Sequence, residues 1–273
     1  MSTIVLTGAT SGIGLATARL LASDTDCLIL HGRQPEERVA SSLKDIRLTM
    51  PATAELHYLE ADFGDLAQVR SLARAIGELT DSIDILINNA GRAGPSRRTV
   101  TGDGIEVTFQ VNYLAAAALT TMLLPLLGIS APARIVNVAS TTHYSVNLDL
   151  DDLDLSRHRY SAYEVYANSK LAQVTFCCWL AAHRPTSQLE VVSMHPGVIA
   201  TKILHEMVGG GGDSPEVGAG HVRYVAQRRG DNGAYYDKRR LRAPNPQALD
   251  AKIQVTLHSF TSALLHDRST LAR

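Results

Sequence analysis

Short apolar, β-branched runs alternate with longer helical stretches from the N-terminus to about residue 200. This rhythm constrains the fold more than any other feature of the chain. Residues 3–7, 27–31, 55–59, 83–88, 134–139 and 190–194 read as strands. Between them, residues 13–23, 36–50, 65–79, 105–127 and 161–183 read as helices. Several of the strands are apolar throughout, as a parallel sheet covered by helices on both faces requires. The expectation is a single α/β domain over residues 1–273, a doubly wound parallel sheet with right-handed crossovers.

Composition narrows the function. A formal net charge of -1 leaves no electrostatic footprint for nucleic acid. Three cysteines cannot close a disulfide framework, which points to a reducing compartment and hence the cytoplasm. The most apolar stretch, 111–129, carries Asn112, Thr120, Thr121 and Pro125, so it reads as a buried helix and no membrane anchor is expected. Ten histidines lack ligand spacing, so no metal is expected. Residues 147–159 hold Asp149, Asp151, Asp152 and Asp154 without the register of a calcium loop and read as a solvated loop. His143 reads as a solvated loop residue, with a place at the substrate mouth as the alternative, Cys177 and Cys178 as one packed thiol and one facing a groove or partner, and Tyr235 and Tyr236 as a last strand. Four consecutive glycines, Gly209–Gly212, precede a helix start at Ser214 and Pro215. They suit a mobile lid in a variable substrate region at about 203–228, with a plain flexible loop as the alternative.

The first strand runs directly into Gly8-Ala9-Thr10-Ser11-Gly12-Ile13-Gly14 and then a helix. Glycines let the backbone approach a pyrophosphate, and the helix N-terminus supplies free N–H groups and a positive dipole end. The sheet is therefore expected to be of Rossmann type, binding a dinucleotide. At the end of the second strand stand His31, Gly32 and Arg33, with no acid to take a ribose 2′-hydroxyl. A guanidinium suits a 2′-phosphate, so NADP(H) is favoured over NAD(H); the alternative for Arg33 is a solvated side chain at a strand end.

Tyr166 and Lys170 stand four apart on a helix and share a face. A neighbouring ammonium favours the phenolate and would bring the Tyr166 pKa down toward the working range of a general acid or base. Ser140 ends a strand and can donate to an oxygen where negative charge develops.

These residues belong to an ordered series: the glycine turn, Asn88-Asn89-Ala90-Gly91, Asn112, Ser140, Tyr166-Ala167-Asn168-Ser169-Lys170 and His195-Pro196-Gly197. With that series, residues 3–202 resemble the short-chain dehydrogenase/reductase family, nearest its retinol-dehydrogenase-like and protochlorophyllide-reductase-like branch. The resemblance implies that Tyr166 is the general acid/base and that Lys170 holds the nicotinamide ribose and lowers the Tyr166 pKa. It implies that Ser140 polarises the substrate oxygen and that Asn112 anchors a water linking Lys170 to solvent. It also implies cofactor contacts from Gly8, Thr10, Ser11, Gly12, Ile13 and Gly14, with Asp62 and Phe63 at the adenine. Asn89, Ala90 and Gly91 would line the adenine ribose, and Pro196, Gly197, Val198, Ile199 and Thr201 the nicotinamide.

The function so implied is NADP(H)-dependent interconversion of a carbonyl and an alcohol on a hydrophobic small molecule. Two alternatives stay open: a non-catalytic dinucleotide-sensing regulator, and an epimerase or dehydratase of the same superfamily acting on sugar nucleotides. A homo-oligomer through helices 105–127 and 161–183 is a further expectation from the resemblance.

Overall fold

The apolar runs pair in a single sheet. In the computed structural model, which describes residues 2–184 and 188–266, seven strands lie parallel: β1 (Thr3–Thr7), β2 (Cys27–Gly32), β3 (Glu55–Glu60), β4 (Ile85–Asn88), β5 (Ala133–Val138), β6 (Leu189–His195) and β7 (Tyr235–Asp237). β8 (Arg240–Arg242) adds an antiparallel edge, and the order is β3-β2-β1-β4-β5-β6-β7-β8. Every residue of β1, β4 and β5 is buried, which accounts for their near-continuous apolar sequences. Alternate residues go to opposite faces: Val5 joins one core, Ile4 and Leu6 the other.

The first face is covered by α3 (Leu66–Leu79), α5 (Ala115–Leu123), α6 (Ala162–His183) and α9 (Ala251–His266). The second is covered by α1 (Gly12–Leu21), α2 (Glu36–Thr49) and α8 (Pro215–Gln227). Two expected helix starts are caps instead. The Asp65 carboxylate accepts from Ala67 N–H at 2.8 Å, and the Ser161 hydroxyl from Glu164 N–H at 3.3 Å.

The expected helix 105–127 is a run from Val107 to Leu126: α4 (Val107–Phe109), a π turn (Gln110–Leu114), α5 and a closing 3₁₀ turn. It is long and apolar enough to cross a membrane, yet 78% of its most apolar window is buried inside the protein. That bears out the buried-helix reading.

Other expectations need correction. α8 packs on α1 and buries Ala219, Val222, Val225 and Ala226, so the second half of the expected lid belongs to a helical layer. The short α7 (Lys202–Val208) and the glycine run remain outside it. The run is fastened at its far end: Asp213 N–H donates to Val198 O and Ala200 N–H to Asp213 O, both at 2.8 Å. The aspartate-rich loop is built rather than simply solvated. Asp152 is buried and accepts from the N–H groups of Ser156, Arg157 and His158, while Asp154 pairs with Arg98 at 2.6 Å. Cys177 and Cys178 are both buried, and burial pushes the Cys178 thiol up to about 11, so neither faces a groove. β8 and α9 had no counterpart in the sequence reading. α9 lies on α6, where His258 stacks on Trp179 at 3.5 Å, and reaches the π turn, where Thr261 hydrogen-bonds Tyr113 at 2.6 Å. The parallel register of β2 and β3 also sets Cys27, Glu55 and His57 on one face, their donor atoms within 4.8 Å of one another. Spacing along the chain does not show such a group, and here the Glu55 carboxylate pairs with His57 at 3.1 Å.

Arg134, at the start of β5, is fully buried between two carboxylates, Glu190 and Asp231, each at 2.7 Å. Tyr236 also donates to Asp231. Removing the guanidinium strands both acids. Arg134→Ala is expected to lose about 3–5 kcal/mol of stability, read from urea unfolding followed by circular dichroism.

Candidate active site

Strand order reverses direction between β1 and β4, and the loops leaving their C-terminal ends form a crevice there. The β1–α1 turn and the Asn88–Gly91 loop touch. A Cβ on Gly8 would lie 2.7 Å from Ala90 Cα, and Gly8 itself has φ +67°. A Cβ on Gly14 would collide with Gly8 O, so both positions demand glycine. Thr7 locks the contact: its Oγ1 accepts the N–H groups of Asn89 and Ala90, each at 3.0 Å. The Asn89 amide donates to Thr7 O at 2.9 Å and Gly8 O at 3.2 Å, so this side chain braces the two turns at the crevice. Thr201 meets the turn from the other side, 3.2 Å from where a Gly12 Cβ would stand. Ile13 and Ile199 both pack on Gly218 of α8.

The Ser11 hydroxyl precedes α1 and caps none of its N–H groups, leaving that helix end open to an outside anion. Arg33 is exposed just beyond β2 and has no side-chain partner among the described residues. His31, buried before it, braces three elements. It accepts from Gly8 N–H at 3.4 Å, donates to Ala61 O at 3.0 Å and stacks on Phe63 at 4.3 Å. Burial pulls its imidazole down to about 4, so the ring is neutral. Phe63 thus turns its ring into the core and can offer a cofactor only its backbone. Asp62 accepts from Gly64 N–H at 2.8 Å.

The second cluster stands at the ends of β4 and β5 and on α6. The π turn carries Asn112, whose Oδ1 accepts from Arg92 N–H at 2.8 Å and whose Nδ2 donates to Ser169 Oγ at 3.0 Å. Ser169 donates to Tyr166 O at 2.7 Å, so Asn112 ties the loop after β4 to the helix bearing Tyr166 and Lys170. A side chain on Gly91 would point at Asn112 Oδ1 and Lys170 Nζ, 3.3 and 3.7 Å from its Cβ. Lys170 Nζ donates to Val138 O at 2.9 Å and lies 5.8 Å from the Tyr166 ring centre. Ser140 hydrogen-bonds Tyr166. Asn112, Ser140, Tyr166 and Lys170 therefore converge, and all are buried.

His143 does not join them as a solvated group. It is buried, donates from Nδ1 to Ser140 O at 2.7 Å and accepts from Asn245 N–H at 3.2 Å, holding the Ser140 turn in place. Pro196 and Gly197 are buried, Gly197 with φ +106°, while Val198 is exposed.

Burial governs the two titrating groups. It draws the Lys170 ammonium down to about 8. It pushes the Tyr166 phenol up to about 12, only partly offset by the bond to Ser140. The lowering of Tyr166 expected from Lys170 is not found, because desolvation outweighs a charge that points past the ring to Val138 O.

The sequence pattern of the short chain dehydrogenases matches residues 2–209. The chain belongs to the short-chain dehydrogenase family. It is accordingly an oxidoreductase acting on carbonyl and alcohol groups through a nucleotide-binding Rossmann fold. Human retinol dehydrogenase 13 is 34% identical over 284 residues, covering 96% of this chain and 84% of that protein. This agrees with the branch expected from the motifs. An uncharacterized protein from Mycobacterium paratuberculosis has the same fold, with a TM-score of 0.81 at 27% identity, covering 97% of this chain and 93% of that one. A short chain dehydrogenase from Burkholderia cenocepacia J2315 in complex with NADP gives 0.68 at 25% identity, covering 86% of this chain and 95% of that one.

Sequence reasoning gave no role to three residues that shape this dehydrogenase site. Thr7 and His31 are single polar side chains at the ends of apolar strands, a pattern that marks a polar contact at the strand terminus. Gly32 is the third, since a Cβ there would collide with Thr10 and Tyr58.

The buried Lys170 gives this short-chain dehydrogenase a pH signature. Between the folded value of about 8 and the ordinary 10.5, the unfolded chain binds more protons at this site. Its stability contribution therefore rises with pH across that window and is least favourable below it. Lys170→Met is expected to be more stable than wild type at pH 7 by on the order of 2–3 kcal/mol. That advantage should shrink by pH 9.5 in matched urea titrations.

Proposed function

We propose that this short-chain dehydrogenase reduces a carbonyl on a hydrophobic small molecule with NADPH, and oxidises the corresponding alcohol in reverse, in the cytoplasm. The observation that carries the reading is the convergence of Ser140, Tyr166, Lys170 and Asn112 beside a helix N-terminus with an unused cap. The residues present fit a dinucleotide. The turn from Gly8 to Gly14 presents backbone to a pyrophosphate, and Thr10, Ser11, Gly12 and Ile13 would hold it there. Lys170 and the 196–201 segment would hold the nicotinamide end, and Asp62 and Ala90 the adenosine. When bound, the nicotinamide supplies or accepts hydride.

The protein's own part is proton placement and orientation. A phenol held near 12 is fully protonated at neutral pH, the form that donates to a carbonyl oxygen as negative charge develops on it. Ser140 donates to the same oxygen, and Lys170 offers positive charge beneath the phenol. Asn112 keeps the 91–92 backbone against α6 so that these groups hold their spacing.

Arg33, exposed and unpaired among the described residues, supports NADP(H) over NAD(H), as does the NADP complex of the Burkholderia relative. Tyr144, Tyr163 and Val198 are exposed on the segments that carry Ser140, Tyr166 and Gly197, which supports an apolar substrate. So does the likeness to a protein named for retinol. All three cysteines are free thiols, in keeping with a reducing compartment. A homo-oligomer through the long helices would have to include α9, which lies against them.

Tyr166→Phe is expected to remove turnover on a panel of apolar ketones and aldehydes by at least about 100-fold while NADPH still binds in a fluorescence titration. Full turnover in that variant would overturn the mechanism. Arg33→Ala is expected to cut the NADPH-over-NADH preference by roughly tenfold or more; an unchanged preference would remove Arg33 from cofactor selection.

A further inference from the structure

Lys170 has a second polar neighbour on the side away from the crevice. Residues 170, 173 and 177 share one stripe of α6. Lys170 Nζ donates to Gln173 Oε1 at 3.3 Å as well as to Val138 O, and both side chains are buried, at 4% and 1% exposure. Farther along the stripe, the Cys177 thiol lies beside Asn137 and Ser193. Those two residues and Asn88 are aligned across β4, β5 and β6. Gln173 thus stands between the catalytic lysine and a polar row inside the core.

A glutamine there is costly by packing standards. Its Nε2 is buried and has no protein partner among the described residues, and an apolar side chain of similar size would avoid that loss. The amide oxygen is the part in use, and what it uses is the ammonium. Among the described residues no carboxylate offsets that charge, and burial shifts Lys170. Among the described residues its surroundings are Val138 O on β5, Asn112 on the π turn, the backbone at Gly91, and the phenol of Tyr166 on its own helix.

We propose that Gln173 is a positioning residue for Lys170, its Oε1 fixing the ammonium from the core side so that the charge stays beneath Tyr166. The inference rests on the proposed role of Lys170 in the reaction. Gln173 touches neither substrate nor reacting atoms and acts through the lysine. A neutral acceptor stabilises the charged form without trapping it as a carboxylate would.

The protein has five lysines, and only Lys170 is buried. Labelling the lysine ε-carbons with ¹³C therefore lets its titration be followed by NMR in the intact chain, without cofactor or substrate. Loss of the acceptor in Gln173→Leu is expected to lower the Lys170 midpoint by about one pH unit, and a carboxylate in Gln173→Glu to raise it by a similar amount. The pH profile of kcat/KM should move in the same two directions. Should Gln173→Glu not fold, the leucine variant decides alone. Midpoints that coincide with wild type, whatever happens to thermal stability, would overturn the proposal and leave Gln173 a packing residue. Full turnover in Tyr166→Phe would instead overturn the reaction reading, while the Lys170 midpoint would still answer to Gln173.

Discussion

Two backbone turns touch at the reversal of strand order, and everything around the site is arranged from that contact. Gly8 and Ala90 approach so closely that no Cβ fits between them. Such proximity leaves backbone groups needing partners, and Thr7 and Asn89 supply them. The parallel sheet makes this possible by bringing all seven parallel strand ends to one edge. The glycine turn, the Asn88–Gly91 loop, Ser140 and Pro196 thereby reach the same crevice although they are far apart in sequence.

Burial then sets the chemistry. Spacing alone puts Tyr166 and Lys170 on one helical face and suggests mutual attraction of phenolate and ammonium. Inside the protein, each loses water, and that loss moves both groups away from their charged forms. The result is a neutral phenol beside an easily deprotonated lysine. Neutral acceptors, the carbonyl of Val138 and the amide of Gln173, keep that lysine in register.

Much of this was legible in the sequence, for physical reasons that differ by element. Strands buried on both faces have to be apolar, so β1, β4 and β5 announced themselves. Ser140, Tyr166 and Lys170 stood out through an ordered motif series and the four-residue spacing of Tyr166 and Lys170 on one helix. β8 did not, because all three of its residues are exposed and its pairing depends on a turn in which Lys238 adopts φ +59°. α9 lies beyond the strand–helix rhythm and mixes β-branched and aromatic residues among its apolar positions. The environments of His143, Asp152 and Cys178 were misread because burial of a polar or small side chain depends on what folds over it. For His143 that is Asn245, more than a hundred residues away.

The four glycines after α7 all hold left-handed or similarly positive backbone angles, from φ +84° to φ +125°. Side-chain-bearing residues rarely adopt such angles, so this stretch beside residues 198–200 is confined to a residue with nothing to project. A molecule passing there would meet only peptide groups, able to hydrogen-bond but with no charge, ring or alkyl surface to tell one substrate from another. Side-chain contacts at that point would come only from its flanks, Val198 on one side and α7 on the other. Altering selectivity by engineering would begin with those flanks, since the glycines themselves leave no chemical alphabet to rewrite.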